Sequence, residues 1–391
     1  MTTTLAAVER ALRTAAPYAL LDATRAALTS LYPVRDVDLL MADYSLTVLQ
    51  RVTDLPFTAA PVSAHGSAPG RAFGSQQPFL EAETGVLHLP VSVRGDRLGV
   101  LSLTLAGPVL SEQARAELGE IAEMLGHHIL VAERDTDLYL QARRKDRLTL
   151  AAEMQWQLLP ARACSREEYA IGAQLEPAYA IHGDNFDWSA TGERLTLTIT
   201  NGMGEGIDAS LLTNLAINAL RNARRAGVDI ADQAALADQA VWAQHQGEAH
   251  VSVLLLEFHL DTGLVEIVDA GSPQLLRLRS GAVEWIPFEA QLPLGLADDT
   301  PYAAQQIRVV PGDRLIFVSD GVYTVASASG ESYGDKALNR AIQATRMLPA
   351  AEVPRAVLTE LARHREHQPD DDALVVCLDW FGRGAVEAAP A

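Results

Sequence analysis

Ile199-Thr200-Asn201-Gly202-Met203-Gly204-Glu205-Gly206 decides how this chain is read. A strand-like run, Arg194-Leu195-Thr196-Leu197-Thr198-Ile199, leads into it, and a helix-like run from Ala209 to Arg225 follows. Three glycines in five positions at a strand-to-helix corner mark backbone that approaches something closely or takes positive φ. Asn201 stands at the strand exit, where open sheets present their chemistry. A Gly-rich corner alone is equally a tight turn, and its weight depends on what else converges on it.

Working outward, residues 168–380 alternate strand candidates with turns and helices. Strands are expected at Tyr169–Leu175, Leu195–Ile199, Val251–Phe258, Leu264–Asp269, Leu275–Leu278, Ile307–Val310, Arg314–Ser319 and Ala373–Leu378. Helices are expected at Ala209–Arg225, Ala231–His245, Lys336–Thr345 and Ala351–His364. Asp261-Thr262-Gly263 and Ser280-Gly281 are hairpin-like connectors. The pattern is an α+β sandwich of two antiparallel sheets with helices, not a βαβ repeat. Side-chain oxygens gather at four strand ends: Ile181-His182-Gly183-Asp184-Asn185-Phe186-Asp187, the Asn201 corner, Ser319-Asp320-Gly321, and Asp370-Asp371-Asp372 before the last strand. Hard divalent cations take oxygen ligands of this kind, often one or two carboxylates each. Each cluster alone is a common turn or cap; four in one domain point to a metal centre.

The N-terminal third reads differently. Residues 4–30 have helical spacing, broken near Pro17. Val37–Ala42 pairs with Leu46–Val52, and Gly85–Val93 with Leu98–Leu105, as hairpins. Ser111 starts a helix expected to run on to Leu159, where Pro160 stops it; Leu118, Ile121, Leu125, His128 and Ala132 step like a coiled-coil seam. This predicts a linker rod and a parallel homodimer. Trp156 and its leucines need a surface, and the following domain is the expected one.

Composition excludes several classes. At 391 residues the chain has room for two cores. A formal net charge of −19 argues against a nucleic-acid surface and offers nothing to an anionic membrane. Lys145 and Lys336 are the only lysines, so the basic residues are nearly all Arg. Cys164 and Cys377 suit two buried thiols in a reducing compartment, with no zinc-type spacing. No run approaches the roughly 20 apolar residues of a membrane span, so a cytoplasmic location is expected.

Two resemblances complete the reading. Ser67-Ala68-Pro69-Gly70-Arg71-Ala72-Phe73-Gly74-Ser75-Gln76-Gln77-Pro78, with Leu89-Pro90-Val91 and Gly95-Asp96-Arg97-Leu98-Gly99-Val100-Leu101, resembles a GAF sensor domain. That implies an α/β unit with a six-stranded sheet, helices behind it and a small-ligand pocket on one face. With no cysteine before Cys164, a thiolate haem or thioether-linked bilin is excluded; His65, His88, His127 and His128 remain, and whether the pocket takes a ligand stays open. The order of Glu153 to Pro160, Pro177-Ala178-Tyr179, His182-Gly183-Asp184, Gly202-Met203-Gly204-Glu205-Gly206, Asp269-Ala270-Gly271-Ser272-Pro273, Pro293-Leu294-Gly295-Leu296, Pro311-Gly312-Asp313, Ser319-Asp320-Gly321 and Asp370-Asp371-Asp372 is similar to the PPM-type Ser/Thr phosphatases, in particular the SpoIIE-like bacterial branch. The implied layout is residues 1–132 GAF-like, 133–160 linker helix, 161–382 an αββα phosphatase sandwich, and 383–391 a disordered tail.

The second resemblance implies two ions, Mn²⁺ or Mg²⁺, and a metal-activated hydroxide attacking phosphoserine or phosphothreonine. Matched residue by residue, Asp184, Asp320 and Asp370 are the catalytic carboxylates. Asn201, Gly202 (through its carbonyl) and Asp371 complete the metal set, and Asp187 matches an acidic position that can be structural. The departures lie at the centre: Asn201 replaces the bridging Asp, His182 precedes Gly183-Asp184, Glu205 stands in Gly204-Glu205-Gly206, and Ser272 follows Ala270-Gly271. Glu205 is the candidate compensating ligand. Three readings stay open: a signal-regulated phosphatase acting on a phosphoprotein, such as an anti-sigma-factor antagonist in partner switching; a catalytically dead pseudophosphatase that binds a phosphoprotein or partner; or a dimeric scaffold with no ligand at either end.

Overall fold

The computed structural model describes residues 2–55, 60–107, 110–179, 183–327, 330–365 and 371–383, which fall into two units, Met1–Arg147 and Leu148–Ala391. His182, Asp370 and the tail expected beyond Arg383 lie outside the described residues.

The N-terminal unit contains α1 (Thr3–Thr14), α2 (Leu20–Leu31), β1 (Val34–Ala42), β2 (Val48–Arg51), β3 (Val62–Ser63), α3 (Ala68–Ser75), β4 (Phe79–Glu81), β5 (Val86–Val93), β6 (Asp96–Leu105), α4 (Glu112–Ala132) and α5 (Leu138–Ala142). A 3-10 turn at Pro17–Ala19 separates the first two helices, as the proline requires. The strands form one antiparallel sheet in the order β3-β2-β1-β6-β5-β4. Leu5, Val8, Leu21, Leu28, Leu39, Leu101 and Leu125 join in a core between the sheet and α1, α2 and α4.

The rod expected from Ser111 to Leu159 is not continuous. α4 stops at Ala132, α5 has five residues, and α6 (Leu150–Leu158) begins the second unit behind a Thr149 cap. Leu118, Ile121, Leu125 and Ala132, taken as a dimer seam, are buried in the N-terminal unit's own core. A three-four spacing cannot say whether an apolar stripe meets a second helix or a sheet of the same chain. Thr136 and Asp137, small polar residues that compete for backbone hydrogen bonds, sit at the break. Trp156 packs within this second unit: its indole N–H donates to the Ala178 carbonyl at 2.8 Å.

After α6 come β7 (Ala163–Ser165), β8 (Tyr169–Glu176), β9 (Asp184–Ala190), β10 (Arg194–Gly202), α7 (Gly206–Ala226), α8 (Ile230–His245), β11 (Val251–His259), β12 (Leu264–Ala270), β13 (Gln274–Arg279) and β14 (Ala282–Trp285). β15 (Gln305–Arg308), β16 (Arg314–Val318), α9 (Asp320–Tyr323), α10 (Leu338–Ala344), α11 (Val353–His364) and β17 (Ala373–Trp380) complete the unit. One sheet runs β15-β12-β11-β10-β9 and the other β14-β13-β16-β17-β8-β7, and the neighbouring strands in both are antiparallel. β7, β9 and β14 were not expected; β9 looked like an acidic turn because its first residues are polar.

Alternation assigns the faces. Val251, Val253 and Leu255 pack against α7 and α8, while Ile316, Val318, Val375 and Cys377 pack against α10 and α11. Leu195, Leu197, Ile199, Leu254, Leu256, Phe317, Val376 and Leu378 are buried on the opposite strand positions. Phe258 and Trp380, from different sheets, stack with ring centroids 6.0 Å apart. The result is the expected αββα sandwich. Cys164 and Cys377 are both buried and form no disulfide. Among the described residues no helix is long and apolar enough to cross a membrane.

Candidate metal centre

The centre forms where β10 and β16 end and β9 and β17 begin. Strand register sets Asn201 beside Asp184 on one side and Ser252 on the other. Those positions continue the buried row of Leu195, Leu197 and Ile199, so Asn201 and Asp184 face the second sheet. From that sheet come Ser319, Asp320, Asp371 and Asp372. The Asp184 N–H donates to Asp372 Oδ2 at 3.3 Å, and the Asn201 amide donates to Asp320 Oδ1, so both contacts join the sheets.

Glycine makes the approach possible. A Cβ on Gly202 would lie 2.3 Å from Thr213 Oγ1, which is held by its 2.8 Å bond to the Gly183 carbonyl. A Cβ on Gly321 would lie 1.8 Å from the Asp372 carbonyl. Gly204 and Gly206 take φ of 100° and 63°, the left-handed turn expected of this corner. Glu205, the candidate compensating ligand, is exposed at the N-cap of α7 and makes no capping bond, so this geometry does not bring it to Asn201.

The electrostatics are those of crowded carboxylates. Asp184 is 2 % exposed, and burial first, then Asp372, pushes its carboxyl far above the usual range despite a hydrogen bond from Ser319. Its Oδ2 is buried without a hydrogen-bond partner. Asp320 is also raised, by burial and then by Asp371, against backbone N–H groups and the Asn201 amide. Asp371 is exposed and accepts the Asp372 N–H at 2.8 Å. Like charges gathered at an orphaned buried oxygen fit a divalent cation, which would relieve both the repulsion and the missing bond.

Asp184, Asn201, Gly202, Asp320 and Asp371 are thus brought together. Asp187 is not: it points at α7, with Arg221 at 2.8 Å and Arg224 at 3.1 Å. Three residues near the centre were missed. Asp372 belongs to a quoted acidic run, but nothing in that run says which member turns inward. Tyr323, whose hydroxyl donates to the Ser272 carbonyl at 2.9 Å, is raised to about 12 by burial and by Asp320, Asp184 and Asp269. Burial likewise raises Asp269 to about 6.

Comparisons with known proteins agree with this geometry. Residues 191–381 match the family model described as Stage II sporulation protein E (SpoIIE). The chain is 22 % identical over 273 residues to the phosphoserine phosphatase RsbU of Bacillus subtilis (strain 168), covering 69 % of this chain and 81 % of that one. The SiaA-PP2C domain of Pseudomonas aeruginosa has a similar fold, with a TM-score of 0.50, 19 % identity, and coverage of 59 % of this chain and 93 % of that one. The RsbU and RsbW domains of Rv1364c from Mycobacterium tuberculosis align with a TM-score of 0.49 and 20 % identity over 55 % of this chain, which spans 60 % of that one. The sandwich, the acidic centre and the family match together make the C-terminal unit of this chain a SpoIIE-like phosphatase domain of the PPM type.

Proposed function

We propose that the chain is a signal-regulated protein serine/threonine phosphatase. The observation that carries this reading is the meeting of Asp184, Asp320, Asp371 and Asp372 between two sheets, with Asp184 Oδ2 left unpaired. Asp184, Asp320, Asp371 and the Gly202 carbonyl would hold Mn²⁺ or Mg²⁺, since every donor is oxygen. A divalent cation held there would supply an activated water and offset charge on the phosphate oxygens.

The chain's own groups prepare the site. Asn201 and the Gly321 N–H hold Asp320 Oδ1, the latter at 3.1 Å, which orients that carboxylate. Ser319 steadies Asp184 and also accepts the Leu374 N–H at 3.0 Å, tying the loop to β17. Met203, Ile207 and Leu211, each about half exposed, form an apolar patch at the corner that suits a protein substrate. A phosphoprotein of a partner-switching system, such as an anti-sigma-factor antagonist, is the substrate class proposed, in line with the similarity to RsbU. The N-terminal unit is proposed as the GAF-like regulatory part, supported by its six-stranded sheet with helices on one face.

The test is phosphate release from a phosphoserine peptide as Mn²⁺ is titrated, with Asp320→Asn as the blank. The expected result is turnover that saturates with metal and disappears in the variant. Turnover no higher than the variant's at any metal level would reject an active enzyme and leave a partner-binding module.

A further inference from the structure

The two faces of the N-terminal sheet are unlike. Val37, Leu39, Met41, Leu101 and Leu103 enter the apolar core. The alternate positions carry Asp36, Asp38, Ser102 and Thr104, and the register sets Asp38 opposite Ser102 and Ser102 opposite His88. Antiparallel sheets commonly keep one polar face, and what sets this one apart is that His88 and Ser102 on it are buried. This polar row forms one wall of a cavity of about 450 Å³, with Ser67, Ala68 and Pro69 at the start of α3 forming another. That volume lies in the range of small-molecule sites.

Two residues that line this cavity each carry a buried, unpaired polar atom. His88 is 5 % exposed; its Nδ1 lies 2.9 Å from Ser102 Oγ, and its Nε2 is buried with no partner. Asp38 holds Arg51 through Oδ2 at 3.1 Å, while its Oδ1 is buried with no partner. Buried polar atoms left unpaired are costly and seldom kept without use.

The charge of the lining selects the ligand. Asp36, Asp38 and Glu81 stand against the single guanidinium of Arg51. Asp36 is engaged by the Val37 N–H and Arg25, Glu81 by Thr84, and Asp38 by Arg51 and the Leu39 N–H, with its Oδ1 left unpaired. The start of α3 is poorly suited to an anion: Ser67 Oγ accepts the Gly70 N–H at 2.9 Å, and Pro69 has no N–H. Burial holds the His88 imidazole below its usual range, hence neutral. In the tautomer that donates Nδ1–H to Ser102, Nε2 offers a lone pair, and this is the tautomer that an N–H donor in the cavity requires.

We infer that this cavity binds a small organic cation, an ammonium or guanidinium group whose N–H donors reach Asp38 Oδ1 and His88 Nε2. This deepens the regulatory reading of the N-terminal unit and is independent of whether the C-terminal unit turns over substrate. The test is calorimetry on the full chain with agmatine, which carries both head groups, beside succinate and 1,4-butanediol. Saturable agmatine binding is expected, with none for the anion or the diol. Asp38→Asn should weaken it by at least about tenfold. His88→Leu should weaken it, and His88→Gln, which keeps an acceptor, should retain more; each variant's melting transition checks its fold. Asp320→Asn should leave binding unchanged, which separates this cavity from the acidic centre of the other unit. No agmatine binding, preferential succinate binding, or binding indifferent to both Asp38→Asn and His88→Leu would overturn the inference.

Discussion

Asn201 puts a neutral amide among carboxylates, and its hydrogen bond to Asp320 spans the two sheets. A carboxylate there would add a full charge toward any bound dication. At an effective dielectric of about 20 that attraction is worth several kcal/mol before desolvation is counted. Asn201→Asp should therefore tighten Mn²⁺ binding by at least about tenfold in calorimetry, and lower the melting temperature of the metal-free protein. Unchanged affinity would show that the amide is not what limits the centre. Asp269 supplies a pH handle. Burial raises its folded-state value from 3.8 to about 6, so the folded chain holds that proton more tightly than the unfolded chain. The stability it contributes is complete below the ordinary carboxylate range and is lost as pH rises through about 6. In chelator, Asp269→Asn should flatten the fall in urea midpoint across that window. Above it the variant should gain about 1 kcal/mol, a figure discounted because the group is only half buried.

At the scale of elements, α4 belongs to a core and is not a free rod. Leu125 is fully buried, whereas Val131 on the same helix is 62 % exposed. Leu125→Ala should cost the N-terminal unit about 2–4 kcal/mol in chemical denaturation, and Val131→Ala no more than about 0.5 kcal/mol. If Leu125→Ala instead changed the sedimentation coefficient and left the melt unaltered, the coiled-coil seam would be restored. The apolar pattern of α4 was legible in the sequence; its partner was not, because a stripe records that a face is buried and not by what. β9 shows the converse. Asp184, Asn185 and Asp187 look like a turn, yet each is buried and held by tertiary contacts: the Asp184 N–H by Asp372, the Asn185 amide by Gln155 Oε1 at 2.6 Å and Asp187 by two arginines.

For the whole molecule, the boundary between compact units lies at Arg147/Leu148, later than the expected end of the GAF-like segment at 132. α5 belongs to the first unit and α6 to the second, with Lys145, Asp146 and Arg147 exposed between them. Limited trypsin digestion should nick first at Lys145 or Arg147 and release pieces matching residues 1–147 and 148–391. Earlier cleavage inside either unit would contradict this division. A homodimer, if one forms, must use a surface other than the buried stripe of α4.

The sequence by itself determined the two-part organisation, the antiparallel sandwich and the oxygen-rich character of its centre. Those depend on local alternation, turn chemistry and residue type, all carried by neighbours along the chain. Asp184, Asn201, Asp320 and Asp371 could be named from motif order alone. Only the tertiary structure decided that Asp372 turns inward, that Asp187 serves α7, that Glu205 stays at the surface, and that Asp38 and His88 share a cavity. Each of these depends on which strands pair and which way a side chain faces, contacts made across 100 or more residues for Asp184 with Asp372 and Asn201 with Asp320. A linear pattern carries no term for such pairings, because their energies arise only after the sheets have met.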